Sequence, residues 1–154
     1  PGILFYDIST LIYNNEAFTS SLEKFGELFD IYKFDTIAAI DARGFIFGSA
    51  LAHKLKLGMM MIRKKNKLPG KKISFEYDLE YGTDMIEMHS DSINNGDRVL
   101  IVDDLLATGG TARAVGKLVN TLKGKIFSYC FLIYLKELNG LDLLLPESVF
   151  YLID

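Results

Sequence analysis

Four apolar residues, Val99, Leu100, Ile101 and Val102, run straight into two adjacent carboxylates, Asp103 and Asp104, and the chain then reads Thr108, Gly109, Gly110, Thr111. An apolar run that ends in charge reads as a buried strand leaving the core, and glycines and hydroxyls ahead of a new apolar pattern read as a helix start. The same order occurs earlier, where TIAAID (36–41) is followed by Arg43 and Gly44, a helical pattern over 45–56 and a methionine-rich strand over 58–62. A third unit has a helix over 111–122, with Val115, Leu118, Val119 and Leu122 on one face, leading into a strand over 125–135. Strands that are apolar on both sides and alternate with helices bury themselves best in a parallel sheet covered on both faces. The expected fold is therefore α/β, a central mostly parallel sheet flanked by helices.

Composition narrows the class. With 49% hydrophobic and 24% charged residues over 154 positions, the chain has enough apolar material for one domain, expected to span 1–154. No apolar run approaches the roughly 20 residues of a membrane span, and the first residues lack a signal-peptide pattern, so a soluble cytoplasmic protein without a membrane partner is expected. A net charge of -3 argues against nucleic acid as a general partner. The single cysteine, Cys130, lies among Phe131, Leu132 and Ile133 and reads as a buried structural thiol.

The remaining segments are less regular. After an extended start, Ser20 to Glu23 has the form of a capping box ahead of Leu22, Phe25, Leu28, Phe29 and Tyr32 at helical spacing. RKKNKLPGKK (63–72) concentrates positive charge on an acidic chain, either as a solvated loop or as a site for a small polyanion. Beyond it Ile73, Phe75, Tyr77 and Leu79 alternate with polar residues, and a return strand over 84–89 completes a hairpin through Gly82. A last short strand is expected over 150–153.

Ligands of parallel sheets collect beyond the carboxyl ends of the strands, where both DARG (41–44) and DDLLATGGT (103–111) fall. The second loop fits neither GxGxxG nor the Walker pattern. It reads either as a plain turn or as a nest for one phosphate, built from amides of 107–111 with the Thr108 and Thr111 hydroxyls. The carboxylate pair tilts this towards a ribose phosphate, with the phosphate in the nest and the sugar diol on Asp103 and Asp104.

Five motifs in order, GILFYDIS (2–9), DARGFIFGSALA (41–52), IRKKNKLPG (62–70), YDLEYG (77–82) and LIVDDLLATGGT (100–111), resemble type I phosphoribosyltransferases, and most of all the members that act on adenine. The resemblance implies transfer from 5-phospho-α-D-ribose 1-diphosphate to adenine, giving AMP and diphosphate. It implies Mg2+ carried by the diphosphate substrate, with no direct protein ligand, and a homodimer. Ala107, Thr108, Gly109, Gly110 and Thr111 would hold the 5-phosphate, and Asp103 with Asp104 the ribose hydroxyls. Asp41, Ala42 and Arg43 would hold the diphosphate through a turn with a non-proline cis peptide, helped by Lys64 and Lys67. Glu80 would be the acid/base near the purine, Arg43 would act on the leaving group, and Tyr81 would help a mobile hairpin (62–89) close. A small N-terminal hood (1–15) would take the base, with Phe5 stacking, main-chain groups near Leu4 and Tyr6 reading its edge, and Leu105 on the opposite face. Relatives usually carry further residues ahead of the position of Pro1, so an N-terminal piece is expected. Tyr6 and Tyr134 depart from the family pattern, which leaves a transferase for another purine, or a non-catalytic sensor of the diphosphate substrate, as rival readings.

Overall fold

The computed structural model describes residues 7–30, 32–79 and 81–154. Two helices open the chain, α1 (Ser9–Tyr13) and α2 (Asn15–Asp30), followed by β1 (Thr36–Ile40), α3 (Gly44–Leu55) and β2 (Gly58–Lys64). A hairpin of β3 (Lys72–Asp78) and β4 (Thr83–His89) precedes β5 (Arg98–Leu106), α4 (Gly110–Thr121) and β6 (Lys125–Tyr134). A short 3-10 turn (Lys136–Leu138), α5 (Gly140–Leu144) and β7 (Val149–Ile153) complete it.

The strands form one sheet in the order β3-β4-β2-β1-β5-β6-β7. β2, β1, β5, β6 and β7 run parallel, and the hairpin joins antiparallel through Arg63↔Glu87 and Lys64↔Ile86. Alternation along β5 shows why its sequence is apolar without a break. Val99 and Ile101 enter a core with α4, whereas Leu100 and Val102 enter a second core with Phe25, Phe29 and Phe47 of α2 and α3. Both faces of a central parallel strand are thus covered. A Cβ at Gly48 would stand 2.5 Å from Ala39 Cβ, so the small residues of α3 and β1 let helix and sheet approach closely.

Several local expectations need correction. The segment ahead of the long helix is not extended, since residues 9–13 form α1. Helix α2 begins at Asn15, and residues 20–23 lie inside it rather than capping it. Asn14 takes the capping role, its Oδ1 accepting the Ala17 amide at 3.0 Å, while Ser21 Oγ bonds back to Ala17 O at 2.9 Å. In β3 the alternation reaches the core at Tyr77, which is buried, and at half-buried Ile73, whereas Phe75 and Leu79 are 36% and 47% exposed. That strand lies at the sheet edge, which leaves its outer positions to solvent. Strand β5 also runs past the carboxylates to Leu106, because β6 continues to pair with it as far as Leu106↔Tyr134.

Candidate functional site

The crossover from β1 through α3 leads to β2 on one side, and that from β5 through α4 leads to β6 on the other, so adjacent β1 and β5 form the point where the winding reverses. Their carboxyl ends frame the crevice in which doubly wound folds place ligands. The turn 41–43 leaves β1 and the loop 107–109 leaves β5, which brings both sequence motifs to one place.

On the β5 side, Gly109 caps α4 with φ +83°, a left-handed conformation that suits glycine. Residues 105–112, with Asp103 and Phe131, line a concavity of about 90 Å³. The first amides of α4 have no carbonyl of their own helix to bond and carry the positive end of its dipole, so this concavity is suited to an anion. Leu106 is buried, Leu105 is half-buried, and Thr108 is exposed at the rim.

On the β1 side the Asp41–Ala42 peptide is cis, as the resemblance implied. Asp41 Oδ2 accepts Arg63 Nε at 3.1 Å and the Lys64 amide at 3.4 Å, tying the turn to the end of β2. Arg63 also lies over the Phe45 ring, 5.9 Å from its centroid. Arg43 crosses the crevice, its Nε 2.9 Å from Asp104 Oδ2. Asp104 is 4% exposed, and that contact lacks the alignment of a hydrogen bond, which leaves Oδ2 acceptor capacity for a hydroxyl. Asp103 Oδ1 accepts the Asp104 amide at 2.8 Å. Burial first, and then the Asp104 charge, push the Asp103 carboxyl well above the ordinary carboxylate range. A neighbouring cation or a sugar hydroxyl donor would relieve that cost. A Cβ at Gly44 would meet Asp103 Oδ1 at 2.9 Å and Val102 O at 3.0 Å, so only glycine lets α3 start against the carboxylate.

The basic segment arrives from β2. Lys64 Nζ is ion-paired with Asp84, and Tyr77 Oη donates to the same carboxylate at 3.3 Å. Burial pulls the Lys64 ammonium down, but Asp84 and Tyr77 outweigh it and hold it above its ordinary value. Lys67 is exposed in the following turn, and among the described residues its side chain forms no ion pair. That turn folds over Glu87, a buried carboxylate 3.0 Å from Lys72 Nζ. Burial raises the Glu87 carboxyl, but the Lys72 ammonium and the Asn66 and Leu68 amides bring it below the ordinary range. Tyr81 is 87% exposed at the hairpin tip. Glu80, Leu4, Phe5 and Tyr6 lie outside the described residues.

Among the expected site residues, then, Asp41, Ala42, Arg43, Asp103, Asp104 and 107–111 converge at the crevice, Lys64 lies on its hairpin side, and Lys67 and Tyr81 stand out in solvent. Glu87, Tyr77, Asp84 and Gly140 escaped the reading. Counting register back from the Gly82 turn would have paired Tyr77 with Asp84, whereas no sequence signal places Gly140 against the 107–109 loop. Cys130 is buried, and burial pushes its thiol up, as suits a packing residue.

The phosphoribosyl transferase domain family matches residues 13–144. The adenine phosphoribosyltransferase of Brachyspira hyodysenteriae is 55% identical over 139 residues, covering 90% of this chain and 82% of the relative. The crystal structure of adenine phosphoribosyltransferase from Thermoanaerobacter pseudethanolicus superposes with a TM-score of 0.96 at 47% identity, covering 99% and 88% of the two chains. That of the Saccharomyces cerevisiae enzyme, complexed with D-2,5-dideoxy-2,5-imino-altritol 1,6-bisphosphate and adenine, gives 0.90 at 38% identity, covering 97% and 87%.

Proposed function

The chain belongs to the phosphoribosyl transferase domain family, and from that premise we infer that it is an enzyme transferring the 5-phosphoribosyl group of 5-phospho-α-D-ribose 1-diphosphate to adenine, which yields AMP and diphosphate. Its likeness to adenine phosphoribosyltransferases at about half identity over nine-tenths of its length carries the choice of base. What supports the assignment of residues is the convergence at β1 and β5 of an anion-accepting helix start, the carboxylate pair of half-buried Asp103 and buried Asp104, and the Arg43 guanidinium.

In this reading the amides of 107–111 and the Thr108 hydroxyl bind the 5-phosphate, while the Thr111 hydroxyl donates to Tyr77 Oη. Asp103 and Asp104 accept hydrogen bonds from the ribose diol. The turn at Asp41, Ala42 and Arg43 holds the diphosphate, with Lys64 and Lys67 adding charge. Breaking the anomeric C–O bond builds positive charge on the sugar and negative charge on the leaving diphosphate, so donors fixed on the leaving side lower the barrier. Adenine attacks through N9, with Glu80 as the acid/base at the purine and Tyr81 closing the hairpin to exclude water. Phe5 stacks on the base, main chain near Leu4 and Tyr6 reads its edge, and Leu105 lines the other side.

Among the described residues no group of three or more His, Cys, Asp or Glu could hold a metal ion. Mg2+ would arrive on the oxygens of the diphosphate substrate, with no direct protein ligand, beside the acceptor-only carboxylates of Asp103 and Asp104. When bound, the ion neutralises the diphosphate. The protein acts as a homodimer in which basic charge from one subunit serves the neighbouring site. Among the described residues no helix is long and apolar enough to cross a membrane; the reading places the enzyme in the cytoplasm, with no nucleic-acid partner.

Steady-state transfer to adenine, with and without Mg2+, tests the activity. Glu80→Gln is expected to lower kcat far more than it raises KM for the diphosphate substrate, and Asp104→Asn to raise that KM. Absence of AMP with the native chain overturns the activity, and equal, trivial effects of both variants overturn the roles.

A further inference from the structure

One hydroxyl joins three elements at the edge of the crevice. Tyr77 Oη accepts from Thr111 Oγ1 at 3.2 Å, donates to Asp84 Oδ2 at 3.3 Å, and stands 3.5 Å from the Lys64 ammonium that Asp84 also holds. Thr111 belongs to the first turn of α4, Lys64 ends β2, and Tyr77 and Asp84 face each other across the hairpin. The tyrosine ring is fixed as well, 8% exposed in the core beneath α4. The start of α4 lies close to the hairpin at the same place, since a Cβ on Gly110 would lie in ordinary contact, 3.5 Å from Asp78 O and 3.8 Å from Tyr77 Cδ2. The hairpin base is therefore seated on the start of α4, and the lysine is held in the same hydrogen-bonded set.

We propose that Tyr77 is a positioning residue for the phosphoribosyl diphosphate: its hydroxyl fixes the spacing between the 5-phosphate loop at Thr111 and the diphosphate-side Lys64, and holds the base of the hairpin that carries Glu80 and Tyr81. The inference rests on the assignment of 107–111 to the 5-phosphate and of Lys64 to the diphosphate. A lysine is a long, rotamer-rich side chain, and ordering it at the moment of binding costs affinity. Asp84 and Tyr77 order Lys64 beforehand. Because the substrate spans both ends of the network, loss of the hydroxyl is felt as a loss of substrate binding rather than of the chemical step.

Tyr77→Phe keeps the buried ring and removes only the hydroxyl. In the full chain with Mg2+, it is expected to raise KM for phosphoribosyl diphosphate about tenfold, the scale of a lost hydrogen bond in a charged network. KM for adenine is expected to stay within about twofold and kcat within about threefold on the same reasoning. A merely structural loss would instead lower the active fraction, hence kcat, and leave KM unmoved. Thr111→Val and the double variant complete a cycle, in which the two penalties are expected to be non-additive. Asp84→Asn gives the same selective rise by a second route if the phenylalanine variant folds poorly. Lys64→Ala separates the failures. If it raises KM while Tyr77→Phe and Asp84→Asn do not, or if the cycle is additive, the positioning role is overturned alone. If Lys64→Ala leaves KM unchanged, the assignment of Lys64 falls and the positioning role with it.

Discussion

Replacing Gly140 by alanine is expected to damage substrate binding from outside the crevice. A Cβ there would stand 2.1 Å from Ala107 O, 3.0 Å from Ala107 C and 3.1 Å from the Gly109 amide nitrogen. Reciprocally, a Cβ on Gly109 would stand 2.6 Å from Gly140 O, so the start of α5 and the 107–109 loop touch backbone to backbone. The backbone at Gly140 is outside the left-handed region, and alanine is barred by space alone. Non-bonded carbons and their neighbours settle at about 3.5 Å, so one of the two backbones must move by roughly 1 Å or more. Overpacking of this kind costs about 1–3 kcal/mol, which for a chain of this size is a fall in Tm of about 3–10 °C. Displacing the 107–109 loop, proposed to hold the 5-phosphate, by roughly 1 Å is expected to lower kcat/KM for phosphoribosyl diphosphate about 100-fold. Thermal melting and initial rates at saturating adenine read both effects. Gly58→Ala, where a Cβ meets nothing within 4 Å, is the control and is expected to leave both unchanged. If Gly140→Ala matches native in Tm and in kcat/KM, α5 does not hold the loop and the reasoning fails.

Two further variants probe the buried charges. The raised Asp103 carboxyl binds its proton more tightly in the folded chain, a contribution fully present below about pH 4 and lost as pH rises through the folded value. Asp103→Asn is therefore expected to raise Tm at pH 7 and to lose that advantage below about pH 4, while KM for the diphosphate substrate rises; a lower Tm at pH 7 would contradict the burial argument. Glu87 has the opposite sign, its lowered carboxyl adding stability above about pH 4 that is lost as pH falls through the folded value. Glu87→Gln leaves the Lys72 ammonium facing a neutral amide, which costs about 2 kcal/mol, or about 5 °C in Tm, at pH 7. The gap from native should close in acid, and a gap independent of pH would mean that charge is not what the turn is folded around.

Much of the candidate site was readable because the residues that gather at the crevice sit where βα alternation must put them. Apolar strands at 36–40 and 99–102 fixed two adjacent strand ends; Asp41, Arg43 and Asp103 follow them within three residues, and Thr111 opens the next helical pattern. What sequence could not supply was length and company. Asp103 and Asp104 read as loop residues, yet β6 keeps pairing to Leu106 and makes them part of the strand. Such pairing is a property of the neighbour, invisible in the local pattern. Alternation at Ile73, Phe75, Tyr77 and Leu79 was real but did not say that Tyr77 alone of the four is buried while Phe75 and Leu79 stay exposed. The capping signal at Ser20 was outcompeted by Asn14, six residues upstream. The Tyr77, Asp84 and Lys64 network depends on where a hairpin lands on α4, and the Gly140 contact on where α5 returns.

The most direct measurement is a competition in one vessel. Limiting phosphoribosyl diphosphate and Mg2+ are mixed with equimolar adenine, hypoxanthine, guanine and xanthine, and the nucleotides formed are separated and quantified. AMP is expected to be the dominant product, formed one for one with diphosphate; a preponderance of any other nucleotide, or diphosphate release without nucleotide, would contradict the assignment.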